Sequence, residues 1–294
     1  MKVESRNLHL RFGNFTALND LTFELSDEKI YGLLGRNGAG KTTLLSIMAA
    51  FRESSSGSIA INGEEPFENA KIMQQIAFMY DKDYSDESEN AKSILEFAER
   101  YRPNFDMDYA DYLIDRFKLD KKKSISKFSK GMQSAFNVIM GLVARTPITI
   151  FDEAYLGMDA PSRNIFYEEL LEDQQNHPRI MILSTHFVSE MDYLFDEVVI
   201  LHEGNMLLQE ETDALLAKGA TMTGHADIVD DVVQSKQQIN VQYLGQTKAV
   251  TVYGELSDEE TKMAVKQGLE VTPVSLQDLF IHLTKGTDED ESSV

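Results

Sequence analysis

The stretch Gly35-Arg-Asn-Gly-Ala-Gly-Lys41-Thr42 restricts this chain to very few folds, because a buried-strand pattern leads into it and a helix pattern leads out. Residues 30–34 form a continuous apolar run ending at the first glycine, and residues 41–51 place Leu44, Leu45, Ile47 and Met48 as in a helix packed on a sheet. The match to G-x-x-x-x-G-K-[ST] in that context predicts a phosphate-binding P-loop. Glycines let successive backbone N–H groups face phosphate oxygens, and the helix start adds partial positive charge. Lys41 is then read as reaching the β- and γ-phosphates, with the Thr42 hydroxyl as a ligand of Mg²⁺. A glycine-rich turn with a surface lysine, the plainer alternative, accounts for neither flank.

A second carboxylate motif supports the first. Ile148-Thr-Ile-Phe-Asp152-Glu153 is an apolar run ending in two acids, 111 residues after Lys41. Taken alone it reads as a strand meeting its exposed loop. Beside a P-loop, Asp152 is the expected Mg²⁺ carboxylate, direct or through water, and Glu153 the candidate general base for the attacking water.

A chain of 294 residues predicts about two domains. Residues 8–12, 21–25, 30–34 and 58–62 read as strands, the last closed by the hairpin signal Asn62-Gly63. An acidic loop at 81–90 precedes helix-like segments at 91–101 and 107–119, which form a helical insertion. Compact apolar strands at 148–151 and 180–184 flank an amphipathic helix at 161–174, and a strand at 198–201 runs into the turn Glu203-Gly204-Asn205. After Gly219 the character changes to strands at 238–243 and 248–253 and helices at 258–267 and 275–283. The expected organisation is an α/β domain at 1–218 with its insertion at about 82–145, a small α+β domain at 219–286 and a disordered acidic tail at 287–294.

Charge and cysteine content narrow the function. The 28 basic against 49 acidic residues leave a formal charge of −21, which argues against nucleic acid as a partner, since backbone binding needs clustered Lys and Arg. With no cysteine, thiolate metal sites and cysteine nucleophiles are excluded. The charged start is unlike a signal peptide, and no run of about 18 apolar residues appears, so a soluble or peripheral protein is expected. His9, His177, His202, His225 and His282 show no ligand spacing.

Together these ordered motifs make residues 1–215 resemble the ATP-binding subunits of ABC transporters. The resemblance implies an α/β P-loop NTPase cassette with a mixed core sheet and helical insertion, plus the small α+β appendix, working with ATP and Mg²⁺. It implies that Gly35, Asn37, Gly38, Ala39, Gly40, Lys41, Thr42 and Thr43 form the phosphate loop. Phe12 falls where the family stacks an aromatic on adenine, the alternative being a core phenylalanine. His186, 33 residues after Glu153, resembles the switch histidine that contacts the γ-phosphate, and Asp159 in Gly157-Met-Asp resembles the D-loop at a dimer interface.

Two places depart from the family pattern. The signature Leu-Ser-Gly-Gly-Gln is Phe128-Ser129-Lys130-Gly131-Met132 here, retaining Ser129 and Gly131, the two expected to touch ATP across a dimer. Lys130 either faces that ATP or, as we expect, points to solvent. Asp81 stands where the family has a Mg²⁺-sensing glutamine facing the membrane partner; a carboxylate can also ligate Mg²⁺, from a shorter reach.

The resemblance further implies a head-to-tail homodimer, or a heterodimer with a second ABC ATPase subunit, joined to integral-membrane permease subunits. The chain would then be cytoplasmic, peripheral on the inner face of the membrane through the permease. The degenerate signature and C-terminal extension are similar to exporter-type subunits for peptides or antibiotics. Rival readings are a soluble ABC-type ATPase in a regulatory role and a P-loop small-molecule kinase; Ser129, Gly131 and His186 argue against the kinase. Residues 219–294 carry −8 and residues 81–120 carry −6, which predicts an acidic docking surface for a basic permease loop.

Overall fold

Continuous apolar runs can serve as strands only where both faces are covered, and that is where the fold puts them. In the computed structural model, which describes residues 1–254 and 256–285, every residue of β3 (Ile30–Leu34) is buried. The chain divides into one compact unit of residues 1–186 and 201–206 and a second of residues 187–200 and the described residues from 207 onward.

The first unit opens with β1 (Val3–Phe12) and β2 (Phe15–Leu25), whose alternating burial suits an antiparallel sheet covered on one face. After β3 come α1 (Lys41–Met48) and β4 (Ser56–Ile61), which pairs with β1 to give the order β2-β1-β4. The chain continues through α2 (Ala70–Met73), β5 (Ile76–Tyr80), α3 (Ala91–Tyr101), α4 (Met107–Arg116), α5 (Lys130–Ala144), β6 (Ile148–Asp152), α6 (Ala160–Asn176) and β7 (Ile180–Thr185). Within this unit, β5, β6, β7 and β3 are neighbours in that order, all parallel, with Asp152 in register with Tyr80 on one side and Ser184 on the other. The helical insertion is built from α3 and α4, which pack with α5.

Two strands, β8 (Glu197–His202) and β9 (Asn205–Glu211), carry the chain between units, and α7 (Thr212–Leu216) follows. The second unit then runs β10 (Gly219–His225), α8 (Ala226–Val233), β11 (Gln237–Leu244), β12 (Thr247–Tyr253), α9 (Asp258–Lys266), β13 (Glu270–Pro273) and α10 (Leu276–Lys285). Its sheet order β11-β12-β10-β13 with antiparallel neighbours makes a βαββαβ, ferredoxin-like arrangement around Met222, Val229, Val250, Val252 and Leu269. The α/β fold with helical insertion and the α+β appendix are therefore as the sequence implies. The expected tail at 287–294 lies outside the described residues. Among the described residues no helix is long and apolar enough to cross a membrane.

Two local expectations differ from the structure. Asn62 and Gly63 adopt φ of 50° and 80° and turn the chain, yet only Glu64 bridges back to Ile61. The next hydrogen-bonded pair would need an N–H from residue 66, which is proline. Strand β10 and helix α8 are not expected from the sequence: Gly-Ala-Thr-Met-Thr-Gly-His has no sustained apolar alternation, and α8 is rich in β-branched residues.

A buried polar network ties α4 and α5 to α6. Arg179 and Asp173 are almost fully buried and pair at 2.6 Å, and Arg145 reaches the other Asp173 oxygen at 3.3 Å. Nearby, buried Glu169 accepts from Tyr109 at 2.9 Å and Tyr112 at 3.1 Å and pairs with Arg116. Removing one member of a buried pair strands the other charge. Arg179→Ala is expected to lower the unfolding free energy by about 3 kcal/mol, at the low end because Arg145 still faces Asp173. Urea denaturation checks this; an unchanged midpoint would contradict it.

Candidate functional site

The glycine loop leaves the carboxyl end of β3 and delivers α1, as its sequence requires. Gly40 has φ of 102°, and a Cβ there would lie 2.9 Å from the Ala17 carbonyl oxygen, so only glycine fits. Gly40 is also the N-cap of α1 and offers no capping side chain. Helices α3, α4, α5 and α6 start instead on Asn90, Asp106, Ser129 and Asp159, each accepting a backbone N–H bond. The first-turn N–H groups of α1 thus lack a side-chain acceptor, the local chemistry a phosphate satisfies.

Around this loop the fold gathers four candidate side chains from two strand ends and a helix start. Lys41 is buried; its Nζ donates to the Gly35 carbonyl at 2.7 Å and to that of Arg36 at 3.3 Å, and stands 3.6 Å from Glu153 Oε1. Burial pulls its pKa below the usual lysine value, against the opposing pull of Glu153 and Asp152. Asp152 accepts from Ser184 Oγ at 2.5 Å, and the Thr42 side chain is near enough to favour its ionised form. Burial raises its carboxyl above the ordinary range, more than these neighbours lower it. Glu153 has φ of 50°, a left-handed conformation uncommon for glutamate, and places Oε1 2.8 Å from His186 Nδ1.

The oxygens of Thr42 and Asp152 are hard donors that lie near each other, which suits Mg²⁺. Among the described residues no group of three or more His, Asp or Glu side chains is arranged to hold a metal, so such an ion would need further oxygens from a bound phosphate.

The remaining expected residues are spread over several elements of the first unit. Asn37 and Gly38 are exposed in the loop, Gly35 and Ala39 are buried, and Thr43 is half-buried. Phe12 is 43% exposed at the end of β1, with the Arg52 guanidinium 4.7 Å from its ring centroid, so it is no core residue. Ser129 caps α5 by accepting from Met132 N–H at 3.3 Å. Gly131 packs so closely that a Cβ would meet the Gly157 carbonyl oxygen at 2.9 Å. Exposed Asp159 caps α6 through Ser162 N–H at 3.0 Å, and the Ser162 side chain together with this N–H holds its carboxyl below the usual range. Asp81 is exposed and pairs with Lys130.

Sequence reasoning misses Ser184 and Arg52. A serine at the end of an otherwise apolar buried strand is the available signal for Ser184; for Arg52 there is none.

Comparison with known proteins agrees with the geometry. The family model described as ABC transporter matches residues 18–156. The chain is 24% identical to the ABC transporter ATP-binding protein YtrB of Bacillus subtilis, over 95% of this chain and 97% of that protein. It is 27% identical to the bacitracin transport ATP-binding protein BcrA of Bacillus licheniformis, over 97% of each. A solved ATP-binding subunit of an ABC transporter covers 73% of this chain and 92% of its own, at 25% identity and a TM-score of 0.65. With a glycine loop, a buried lysine, a strand-end Asp-Glu pair and a histidine against that glutamate, the chain matches the ABC transporter family as an ATP-binding subunit with ATPase activity.

Proposed function

We propose that the chain works as one half of a head-to-tail dimer, homodimeric or with a second ABC ATPase subunit, that closes over two ATP and opens after hydrolysis. In each site Lys41 and the α1 amides hold the phosphates of one subunit's ATP, and Ser129 and Gly131 of the other subunit cover it. Thr42 and Asp152 would hold Mg²⁺, which would supply neutralisation of charge on the phosphate oxygens. Glu153 accepts a proton from the water whose oxygen bonds to the γ-phosphorus as the bond to the ADP oxygen breaks. The observation that supports this assignment is the His186 Nδ1 contact at 2.8 Å, which holds the Glu153 carboxylate while the side chain stays one-quarter exposed to water.

The closing motion is read as driving separately encoded permease subunits at the inner face of the membrane, moving peptide or antibiotic-like cargo outward. The bacitracin transport relative supports a peptide or antibiotic-like cargo. A groove of about 630 Å³ supports the docking surface: Phe78, Tyr80, Phe97 and Met140 line an apolar floor, with Glu87 and Glu89 in its wall. Asp83 and Asp86 are exposed on the same loop. An occupant with an apolar knob and a basic rim fits this surface.

Affinity capture of the tagged chain from membranes should recover a multi-helix membrane protein that changes its ATPase rate; recovering none would sink the transport reading and spare the ATPase. The variant Asp83→Lys/Asp86→Lys/Glu87→Lys is expected to cut that recovery at least tenfold. Its ATP affinity should stay within twofold of the unaltered chain, measured by nucleotide titration.

A further inference from the structure

The two departures from the family pattern meet in the fold. Asp81 follows β5 and Lys130 opens α5, 49 residues later, and Lys130 Nζ donates to Asp81 Oδ1. A lysine in the first turn of a helix faces the positive end of its dipole, so it is favoured only with a carboxylate opposite. Its stem lies along Gly157, where a Cβ would approach Lys130 Cγ to 3.1 Å. Two turns along α5, Asn137 is buried, donates to the Tyr80 carbonyl at 2.7 Å and accepts from the Tyr84 hydroxyl at 2.5 Å. Residues 80–84 are thus fastened to α5 at two points. One point adjoins Ser129 and Gly131; the strand that leads to the other pairs in register with β6, Tyr80 beside Asp152.

We propose that Asp81 and Lys130 are positioning residues that hold Ser129 and Gly131 to the end of β5, and that Asp81 acts through Lys130 rather than as a Mg²⁺ ligand. This rests on the head-to-tail reading, in which that loop meets the ATP of the other subunit. Because β5 adjoins the strand carrying Asp152 and Glu153, the pair joins the two halves of the ATPase machinery that one chain contributes to two different ATP molecules. A family member with glutamine and glycine at these places has no charges to pair, so here the replacements serve as a unit.

The test is a double-mutant cycle on the full-length chain, with MgATP as substrate: Asp81→Asn, Lys130→Gln, both together, and the exchange Asp81→Lys/Lys130→Asp. Each single variant should lower kcat about threefold to fivefold, the scale of an exposed ion pair. The KM for ATP and the Mg²⁺ concentration for half-maximal rate should not move. The double variant should be no slower than the slower single, and the exchange should return kcat to within twofold. A raised Mg²⁺ requirement in Asp81→Asn alone would make Asp81 a metal ligand and overturn the proposal. Unchanged single variants, multiplying losses in the double, or a slow exchange variant would overturn it too. The head-to-tail reading is judged separately, by whether Glu153→Gln dimerises on ATP, whichever way the pair behaves.

Discussion

Glu153→Gln is expected to lower the rate of ATP turnover by about 10²–10⁴-fold, the usual contribution of a positioned general base. The amide is nearly isosteric, keeps a polar atom for His186 Nδ1, and tolerates the same backbone φ of 50° as well as glutamate does. It removes the negative charge 3.6 Å from Lys41, leaving that buried ammonium with less compensation until phosphates arrive. ATP binding should therefore be undiminished while hydrolysis stops, and the ATP-bound dimer should accumulate. Phosphate release and size-exclusion chromatography with ATP measure both. Hydrolysis at the unaltered rate would show that another group is the base.

Asp152→Asn is expected to move activity and stability in opposite directions. The buried carboxyl is raised above its ordinary value despite Ser184, Thr42 and Lys41, so its ionised form is a net cost to the nucleotide-free fold. The sign follows from linkage: the folded chain holds this proton more tightly than the unfolded one, so stability falls as pH rises through the carboxylate range. A neutral side chain of the same shape removes that cost at neutral pH, and the melting temperature without nucleotide should rise. Mg²⁺-dependent hydrolysis should fall at least about 10²-fold, because stabilisation of phosphate charge by a bound metal contributes several kcal/mol. Thermal melts and ATPase assays across Mg²⁺ concentrations check both signs. A variant that melts lower than the unaltered chain would contradict the desolvation argument.

Much of this site is legible in the amino-acid sequence because its chemistry is local along the chain. The spacing of Gly35, Gly40, Lys41 and Thr42 specifies a backbone turn and the start of α1 within eight consecutive residues. Strand β3 and helix α3 likewise have the bounds that their apolar patterns predict. The second unit is harder to read. Strand β10 carries two glycines and gains its place from Val250 and Val252 on β12, which neighbouring residues cannot announce. The turn at Asn62-Gly63 is plain from its residues, but the returning strand fails on a single missing N–H at Pro66.

The order of residues alone specifies the class of chemistry: a loop for phosphate, a strand-end Asp-Glu pair and the ordered motifs of an ATP-binding cassette. The tertiary structure decides how each charge is compensated. Parallel registry sets Ser184 beside Asp152, the turn after β7 sets His186 against Glu153, and the junction of β5 with α5 sets Lys130 on Asp81. None of these partners is near its mate in the chain. A charge is stabilised or strained by whatever lies within a few ångströms, and only strand order and register bring those groups together.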